Sequence, residues 1–404
     1  LSAERDQTIA ETRTKQACLS AEREQPIMKK TVVLILLLSA SVFPQDFKTL
    51  KRGVEYAEQT REIAGTKVRM NLLRLDLKKV RLDVVHAFDR AVGVEKTSEI
   101  AARHKAFAAI NAGFFRLDTS AFAGEAAGAL QINWSLLSES YADRSALGII
   151  NKRSRTSVVF GRLNAYATIG ESPNDALDGI NRERKKGEAI LYTPEMGETP
   201  KSETPITEFI FRSCKIVCRE VTSVESRGGT NVPSGGYIVA VDADGMEKST
   251  AKELARRVNT RSSGFLFGAL KSVGADDGRS KLFGKSEDIV AGVPQLVRNG
   301  RVDVTWQEEK SSKSFYETKH PRTAVGLLKD GRFLMITVDG RSESSGGIGL
   351  EDLAKLLVEF GAVDALNLDG GGSTTMYVDG KVVNRPSDKE GERKVSDALL
   401  VVPR

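Results

Sequence analysis

Histidine and cysteine are scarce in this sequence, and long uniform stretches are missing. The 404 residues include 3 His and 3 Cys, which argues against a histidine-rich metal site. No run of five or more basic residues occurs, so the sequence disfavours nucleic-acid binding. No apolar run approaches the ~20 residues that a membrane-spanning helix needs. These absences favour a globular protein whose partner is not a nucleic acid.

The rest of the composition is typical of a folded chain. The apolar fraction is 40% and the charged fraction is 28%, values that argue against wholesale disorder. The net charge of +6 is small beside 60 basic and 54 acidic residues. The length allows one large domain or two medium ones, and no linker interrupts residues 46–404. We therefore predict a single catalytic domain over 46–404.

The first 45 residues carry patterns that do not belong to a folded domain. Residues 1–7 recur almost unchanged at 19–25, which indicates a non-native upstream leader over 1–27; a genuine disordered tail is the alternative. From Met28, two lysines precede the apolar run Val32–Leu38 and then small residues, the layout of a secretory signal peptide. We predict a signal peptide over 28–45, a secreted or periplasmic protein, and no stable membrane anchor after cleavage.

Two cysteines remain after the leader, Cys214 and Cys218. On one extended strand their Cα atoms would lie too far apart for a disulfide. A tight hairpin through residues 215–217 could join them. Two partly buried thiols are the alternative, and the sequence leaves both open.

The C-terminal third predicts a hairpin followed by a strand–helix–strand unit. Asp330-Gly331 reads as a two-residue turn, which would pair Arg322 with Asp339. Apolar residues at helical spacing over 350–360 predict a helix. A right-handed crossover would then make the strands parallel, so that Asp339 and Asp369 lie at the same edge of the sheet. With the β-like stretches elsewhere, the predicted fold class is α+β (mixed α/β), with mixed sheets.

A second hairpin is predicted around Asp379-Gly380. It would pair Ser373 with Pro386 and Thr375 with Asn384. Segments that are distant in sequence therefore meet at one place: Arg322, Asp339–Arg341, Asn367, Asp369–Ser373 and Asn384.

These converging groups suit a substrate that joins a sugar to a phosphate. Glycines bring backbone N–H groups close to an anion, and Arg322 and Arg341 can bind phosphate oxygens. Asp369 and Asp339 offer two carboxylates for an acetal centre. His320 could be an acid or a structural histidine, and Asp397 could support the site or cap a loop.

Five sequence blocks resemble the phosphodiester glycosidase family, which is related to the enzyme that uncovers mannose 6-phosphate by removing N-acetylglucosamine. The blocks are Asn111–Phe115, His320–Gly326, Val338–Arg341, Asn367–Thr375 and Asn384–Ser387, and with weaker likeness they cover about residues 105–403. The resemblance implies hydrolysis of glycosyl-1-phosphodiester bonds in cell-surface or extracellular glycans.

The predicted catalytic residues are Asp369, as nucleophile or base, and Asp339, as its partner or a metal ligand. The predicted substrate-binding residues are Arg322, Arg341, Asn111, Asn367, Gly370, Gly371, Gly372, Ser373, Thr374 and Asn384. No cofactor is expected to be required, although the two carboxylates could hold Ca²⁺ or Mg²⁺. Two alternatives stay open: a metal-dependent phosphodiesterase that cleaves P–O, and a non-catalytic glycan-binding protein of the cell envelope.

Overall fold

The computed structural model describes residues 47–169, 175–214, 218–260, 267–274 and 278–404. The predicted leader over 1–27 and signal peptide over 28–45 lie outside the described residues. Residues Gln45–Arg404 form one unit. Within the described ranges, no helix combines the length and apolar character needed to cross a membrane.

Strands dominate the structure. In chain order they are β1 (Lys48–Lys51), β2 (Val54–Ile63), β3 (Thr66–Leu75), β4 (Val80–His86), β5 (Glu95–Lys96), β6 (Ala108–Asn111), β7 (Leu130–Ile132), β8 (Ser135–Ser138), β9 (Ser145–Lys152), β10 (Arg155–Thr168), β11 (Gly179–Ile180), β12 (Ala189–Tyr192), β13 (Ile206–Cys214), β14 (Cys218–Ser226), β15 (Tyr237–Asp242), β16 (Phe267–Ser272), β17 (Asp288–Ala291), β18 (Gln295–Arg298), β19 (Arg301–Val302), β20 (Arg322–Leu328), β21 (Phe333–Val338), β22 (Ala362–Asn367), β23 (Met376–Val378), β24 (Lys381–Val382), β25 (Lys394–Val395) and β26 (Asp397–Pro403). The helices are α1 (Thr97–Arg103), α2 (Ser249–Thr260), α3 (Arg279–Phe283), α4 (Lys313–Glu317) and α5 (Leu350–Glu359).

The predicted α+β class is wrong, because the protein is mostly β. Strands make up 46% and helices 15% of the structure. The strands pair antiparallel in the described sheets, apart from the short parallel pair β11–β12. The expectation of a balanced fold gave too much weight to a few short helices, whereas the described residues between 120 and 320 form mainly sheets.

The largest sheet positions the candidate site. Its strand order is β1-β2-β3-β21-β20-β22-β18-β19. One face packs through Leu73, Met335 and Leu366 against strands of two other sheets. Helix α5 covers the opposite face through Leu353 and Leu357. Burial of these apolar side chains is the main stabilising contribution to such a layered fold.

The C-terminal strand–helix–strand unit is present with a different pairing. Strands β21 and β22 run in the same direction, as predicted, but β20 lies between them and pairs antiparallel with both. The ends of β21 and β22 therefore still share one edge of the sheet. Asp339 and Asp369 follow these two ends.

The register of the β20–β21 hairpin differs by one residue from the prediction. Leu328 N–H donates to Arg332 O at 2.8 Å, so the loop has three residues instead of two. Arg322 consequently pairs with Val338, not with Asp339. A one-residue slip moves a side chain to the other face of the sheet. Arg322 thus points to the α5 face and Asp339 to the opposite face.

The second hairpin has the predicted register, with Tyr377 opposite Val382 and Val378 opposite Lys381. Cys214 and Cys218 form a disulfide and face each other across β13 and β14. The structure therefore contains the disulfide and not the two free thiols that the sequence also allowed.

Candidate active site

The glycine turn after β22 is the centre of the site. Gly371 has a φ of +60°, a conformation that residues with a side chain rarely adopt. A Cβ atom on Gly370 would lie 2.8 Å from Pro321 O, and one on Gly372 would collide with the Arg393 guanidinium. Three glycines are therefore required for this close approach.

Most backbone N–H groups of this turn are already bound within the protein. Gly370 N–H donates to Asp369 Oδ1 at 2.9 Å, and Gly371 N–H donates to Pro321 O at 2.8 Å. Ser373 N–H returns to Gly370 O at 3.1 Å. Among the described residues, Gly372 is the member of the run whose N–H has no partner. The predicted anion contact of the glycine amides is thus reduced to one group.

Asp369 is only partly exposed and its carboxyl group is electrostatically perturbed. The pKa of Asp369 is raised to about 6, mainly by burial and also by the Asp397 carboxylate, although Ser373, the Gly370 amide and Arg393 favour the ionised form. A carboxyl group with this pKa is mostly ionised at pH 7 and takes up a proton with a small decrease in pH. Asp369 can therefore act as a base or nucleophile near neutral pH.

Arg322 is buried at 1% exposure and caps helix α4. Its Nη2 donates to Phe315 O at 2.8 Å and to Thr318 O at 2.9 Å, and its Nε donates to Ile348 O at 3.3 Å. Burial lowers the pKa of Arg322 to about 10. No carboxylate in the described residues pairs with it. No described carboxylate neutralises this buried positive charge. The side chain lies beneath Gly370, where an added Cβ atom would be 3.7 Å from Arg322 Cδ.

Arg341 lies above the glycine turn and is exposed to solvent. Its guanidinium Nη2 is 3.1 Å from the position of a Cβ on Gly371, and its Nη1 donates to Ser387 Oγ at 3.3 Å. It forms no ion pair with any described carboxylate. Of the two predicted arginines, Arg341 therefore has the guanidinium that is more available to a ligand.

Asp339 is fully buried and both of its carboxylate oxygens are engaged. Oδ2 pairs with Arg69 Nη1 at 2.5 Å, and Oδ1 accepts from Arg385 N–H at 3.0 Å. Burial raises the pKa of Asp339, and the Arg385 amide and Arg69 oppose this shift. Asp339 and Asp369 share no hydrogen-bond partner. The geometry favours a positioning role, in which Asp339 holds the return strand of the second hairpin.

The three predicted asparagines are buried and hold the backbone. Asn111 Nδ2 donates to Asp369 O at 2.7 Å, and its Oδ1 accepts from Thr323 Oγ1 at 2.8 Å. Asn384 bridges Met376 N–H and Thr374 O. Asn367 Nδ2 donates to Val293 O at 2.6 Å. Their amides fix the turn that carries Asp369, so they shape the site rather than face a ligand.

Several polar atoms beside the turn have spare hydrogen-bonding capacity. The buried hydroxyls of Thr374 and Thr375 and the Oδ1 of Asn367 find no partner in the described part of the chain. Unsatisfied buried polar groups are rare in native proteins, and they commonly mark a bound water or a functional site. This observation supports a ligand site at the predicted position.

Sequence reasoning missed Arg393 and Arg69. Arg393 pairs through Nε and Nη2 with Asp388, at 2.6 and 3.0 Å, and packs on Gly372. Arg69 reaches Asp339 from strand β3, 270 residues away in sequence. No local spacing signals such a partner.

Asp397 and His320 also lie near the turn. Asp397 Oδ1 accepts from Gly113 N–H at 2.5 Å, and its Oδ2 from Ser396 Oγ at 2.8 Å. These bonds are compatible with both roles that the sequence left open, support of the site and capping of a loop. Burial lowers the pKa of His320, and the charges of Arg322 and Arg341 lower it further. His320 is accordingly neutral at pH 7.

Residues 218–402 match the model of the phosphodiester glycosidase family. A stretch of 145 residues is 37% identical to an uncharacterized protein derived from the SPbeta prophage of Bacillus subtilis (strain 168), covering 33% of this chain and 22% of that protein. Another of 109 residues is 36% identical to N-acetylglucosamine-1-phosphodiester alpha-N-acetylglucosaminidase of Bos taurus, covering 25% of this chain and 20% of that enzyme. The chain thus spans about a fifth of the length of both relatives.

A solved structure shares the fold. The crystal structure of a hypothetical protein from Synechocystis has a TM-score of 0.68 at 22% identity, covering 90% of this chain and 65% of that chain. The resemblance that the sequence motifs indicate is confirmed, since residues 218–402 match the phosphodiester glycosidase family model. This range contains Arg322, Asp339 and Asp369, whereas Asn111 precedes it.

Proposed function

We propose that this protein hydrolyses glycosyl-1-phosphodiesters between the sugar and the phosphate. The observation that carries the proposal is Asp369, a partly exposed carboxylate with a raised pKa at a three-glycine turn, inside the range that matches the family. The exposed guanidinium of Arg341 can contact a phosphate, and the buried charge of Arg322, whose donors bind backbone carbonyls, adds positive potential beneath the turn. The name of the bovine relative makes N-acetylglucosamine the first sugar to test.

In the proposed reaction a water oxygen becomes bonded to the anomeric carbon, and the bond from that carbon to the phosphate oxygen breaks. The phosphate leaves as a monoester with the electron pair of the broken bond. Asp369 accepts the proton of the water directly or attacks first as a nucleophile. The leaving phosphate is a weak base, so it needs little help from an acid. An Asp339 whose oxygens are both engaged is compatible with this chemistry.

The competing metal-dependent phosphodiesterase would need Asp339 and Asp369 to hold a cation together. Asp339 would first have to release Arg69 or the Arg385 amide. Sites that bind divalent cations use oxygen ligands that are free to coordinate. We therefore favour the glycosidase and propose no resident metal.

Hydrolysis in oxygen-18 water distinguishes the two reactions. With the methyl phosphodiester of N-acetylglucosamine 1-phosphate as substrate, we expect unlabelled methyl phosphate and free sugar. Label is read on the phosphate, because the reducing end of a sugar exchanges oxygen with water by itself. Labelled phosphate would show P–O cleavage. Binding of the substrate without any product would favour the glycan-binding alternative.

The pH dependence of kcat/KM is a second test. Since Asp369 must be ionised to act as base or nucleophile and its pKa is about 6, kcat/KM should be half-maximal near pH 6 and fall about tenfold per unit below it. Circular dichroism at each pH controls for unfolding. A rate that stays constant from pH 8 to pH 5 would contradict a base or nucleophile with this pKa.

We propose further that the protein is exported and meets its substrate in cell-surface or extracellular glycans. The basic and apolar segment over 28–45 and the disulfide Cys214–Cys218 support this, because disulfides persist in oxidising compartments.

A further inference from the structure

A second concave region of the described chain is an open groove of about 800 Å³. It lies at the end of the eight-stranded sheet that is opposite to the glycine turn. The turns β1–β2, β3–β4 and β20–β21 and the start of β10 line it. Strand β20 has seven residues, so the groove and the site are about 20 Å apart.

The groove is basic, and its acidic groups are already neutralised. Glu55 pairs with Arg74 and Arg332. Asp76 pairs with Lys79, and Asp330 pairs with Arg332. None of the three carboxylates in the lining is left free for another cation.

Three cations of the lining have no carboxylate partner in the described residues. They are Arg52, Lys78 and Arg155, and all three side chains are exposed. Each comes from a different turn, so their charges converge only in the folded protein. Like charges brought together without counter-charges create a positive potential that attracts an extended anion.

The turn between β9 and β10 and the C-terminus extend this surface. Lys152 and Arg153 are exposed beside Arg155. Arg404 donates from Nη2 to Thr156 Oγ1 at 3.0 Å and from Nη1 to Arg153 O at 3.3 Å, and it also pairs with no described carboxylate side chain. The positive area is therefore wider than the three cations of the lining.

We infer that this groove binds an anionic glycan polymer with phosphodiester-linked repeats, so that one repeat occupies the groove while another reaches the glycine turn. The identity of the polymer rests on the proposed function, whereas the binding itself does not. The lining contains no aromatic residue on which bases could stack, which disfavours a single-stranded nucleic acid. Its concave shape disfavours the flat surface of a membrane.

Long-chain inorganic polyphosphate is the probe, and its dissociation constant is measured at several salt concentrations. The triple variant Arg52→Ser, Lys78→Ser, Arg155→Ser should bind polyphosphate at least about tenfold more weakly at low salt. The slope of log K against log salt should become less steep by about two. The matched control Lys186→Ser, Lys201→Ser, Lys313→Ser removes the same charge from exposed positions outside the groove and should bind nearly as the parent does. Equal weakening in both triples would overturn the inference.

Two further measurements separate the possible outcomes. Tighter binding to oligo(dT) or to phosphatidylglycerol vesicles than to polyphosphate would also overturn the inference, because it would identify the occupant as a nucleic acid or a membrane rather than a phosphodiester-linked glycan. Turnover of the small methyl phosphodiester should be unchanged in the groove variant, because none of its three residues lies at the glycine turn. Loss of polyphosphate binding with unchanged turnover would support the groove as the binding site of the polymer. Binding without turnover in the parent would instead contradict the proposed function alone.

Discussion

Replacement of Asp369 by Asn should lower kcat by at least about 10³-fold while making the protein more stable at neutral pH. Loss of a catalytic base or nucleophile has effects of this size. Burial raises the pKa of Asp369 to about 6 from its ordinary value of 3.8, so the folded protein disfavours the ionised carboxylate. The Asn side chain keeps an oxygen that accepts from Gly370 N–H but carries no charge.

The stability gain of Asp369→Asn should depend on pH in a definite direction. Above pH 6 Asp369 is ionised in both states, and its raised pKa destabilises the folded state by about 1–3 kcal/mol. As the pH falls from 6 towards 3.8, the folded state binds the proton first and the difference disappears. Urea unfolding of parent and variant at pH 8 and pH 4 measures this. A variant that is less stable at pH 8 would show that Asp369 is needed for folding.

Asp339→Asn is the matched comparison for activity. Its carboxylate oxygens are engaged by Arg69 and Arg385, so we expect kcat to fall less than in Asp369→Asn. A loss as large as that of Asp369→Asn, in a variant that unfolds at the same urea concentration as the parent, would instead support the predicted catalytic role of Asp339.

Replacement of Arg69 by Met should destabilise the protein by about 3 kcal/mol at pH 8. Asp339 has 2% of its side chain exposed, and removal of one partner from a buried ion pair leaves an uncompensated charge. The pKa of Asp339 is already raised by burial and should rise further in the variant. The loss should therefore decrease at low pH, where Asp339 is protonated in both proteins.

Two controls identify the cause of that loss. Arg61 pairs with Glu359 at the surface, where 54% of the Glu359 side chain is exposed, so Arg61→Met should cost less than about 1 kcal/mol. The double variant Arg69→Met, Asp339→Asn should recover most of the stability, since no charge is then buried alone. A double variant as unstable as Arg69→Met alone would attribute the loss to packing.

Local patterns predicted the elements around the site well. The apolar spacing over 350–360 corresponds to α5, and Asp379-Gly380 sets the register that brings Asn384 to Met376 and Thr374. These features depend on residues a few positions apart. The Asp330-Gly331 turn was wrong by one residue, because the same two residues also fit a three-residue loop. Sequence alone does not choose between these loops.

The sequence by itself determined the family motifs, the helix α5 and the position of Asp369 after a buried strand, since each follows from neighbouring residues. Only the tertiary structure decided that β20 lies between β21 and β22, that Arg69 neutralises Asp339, and that Arg52, Lys78 and Arg155 form one basic surface. The physical reason is that these contacts join residues from distant turns and strands. Their formation depends on sheet pairing and packing of the whole chain, which leave no periodic signal in any single segment.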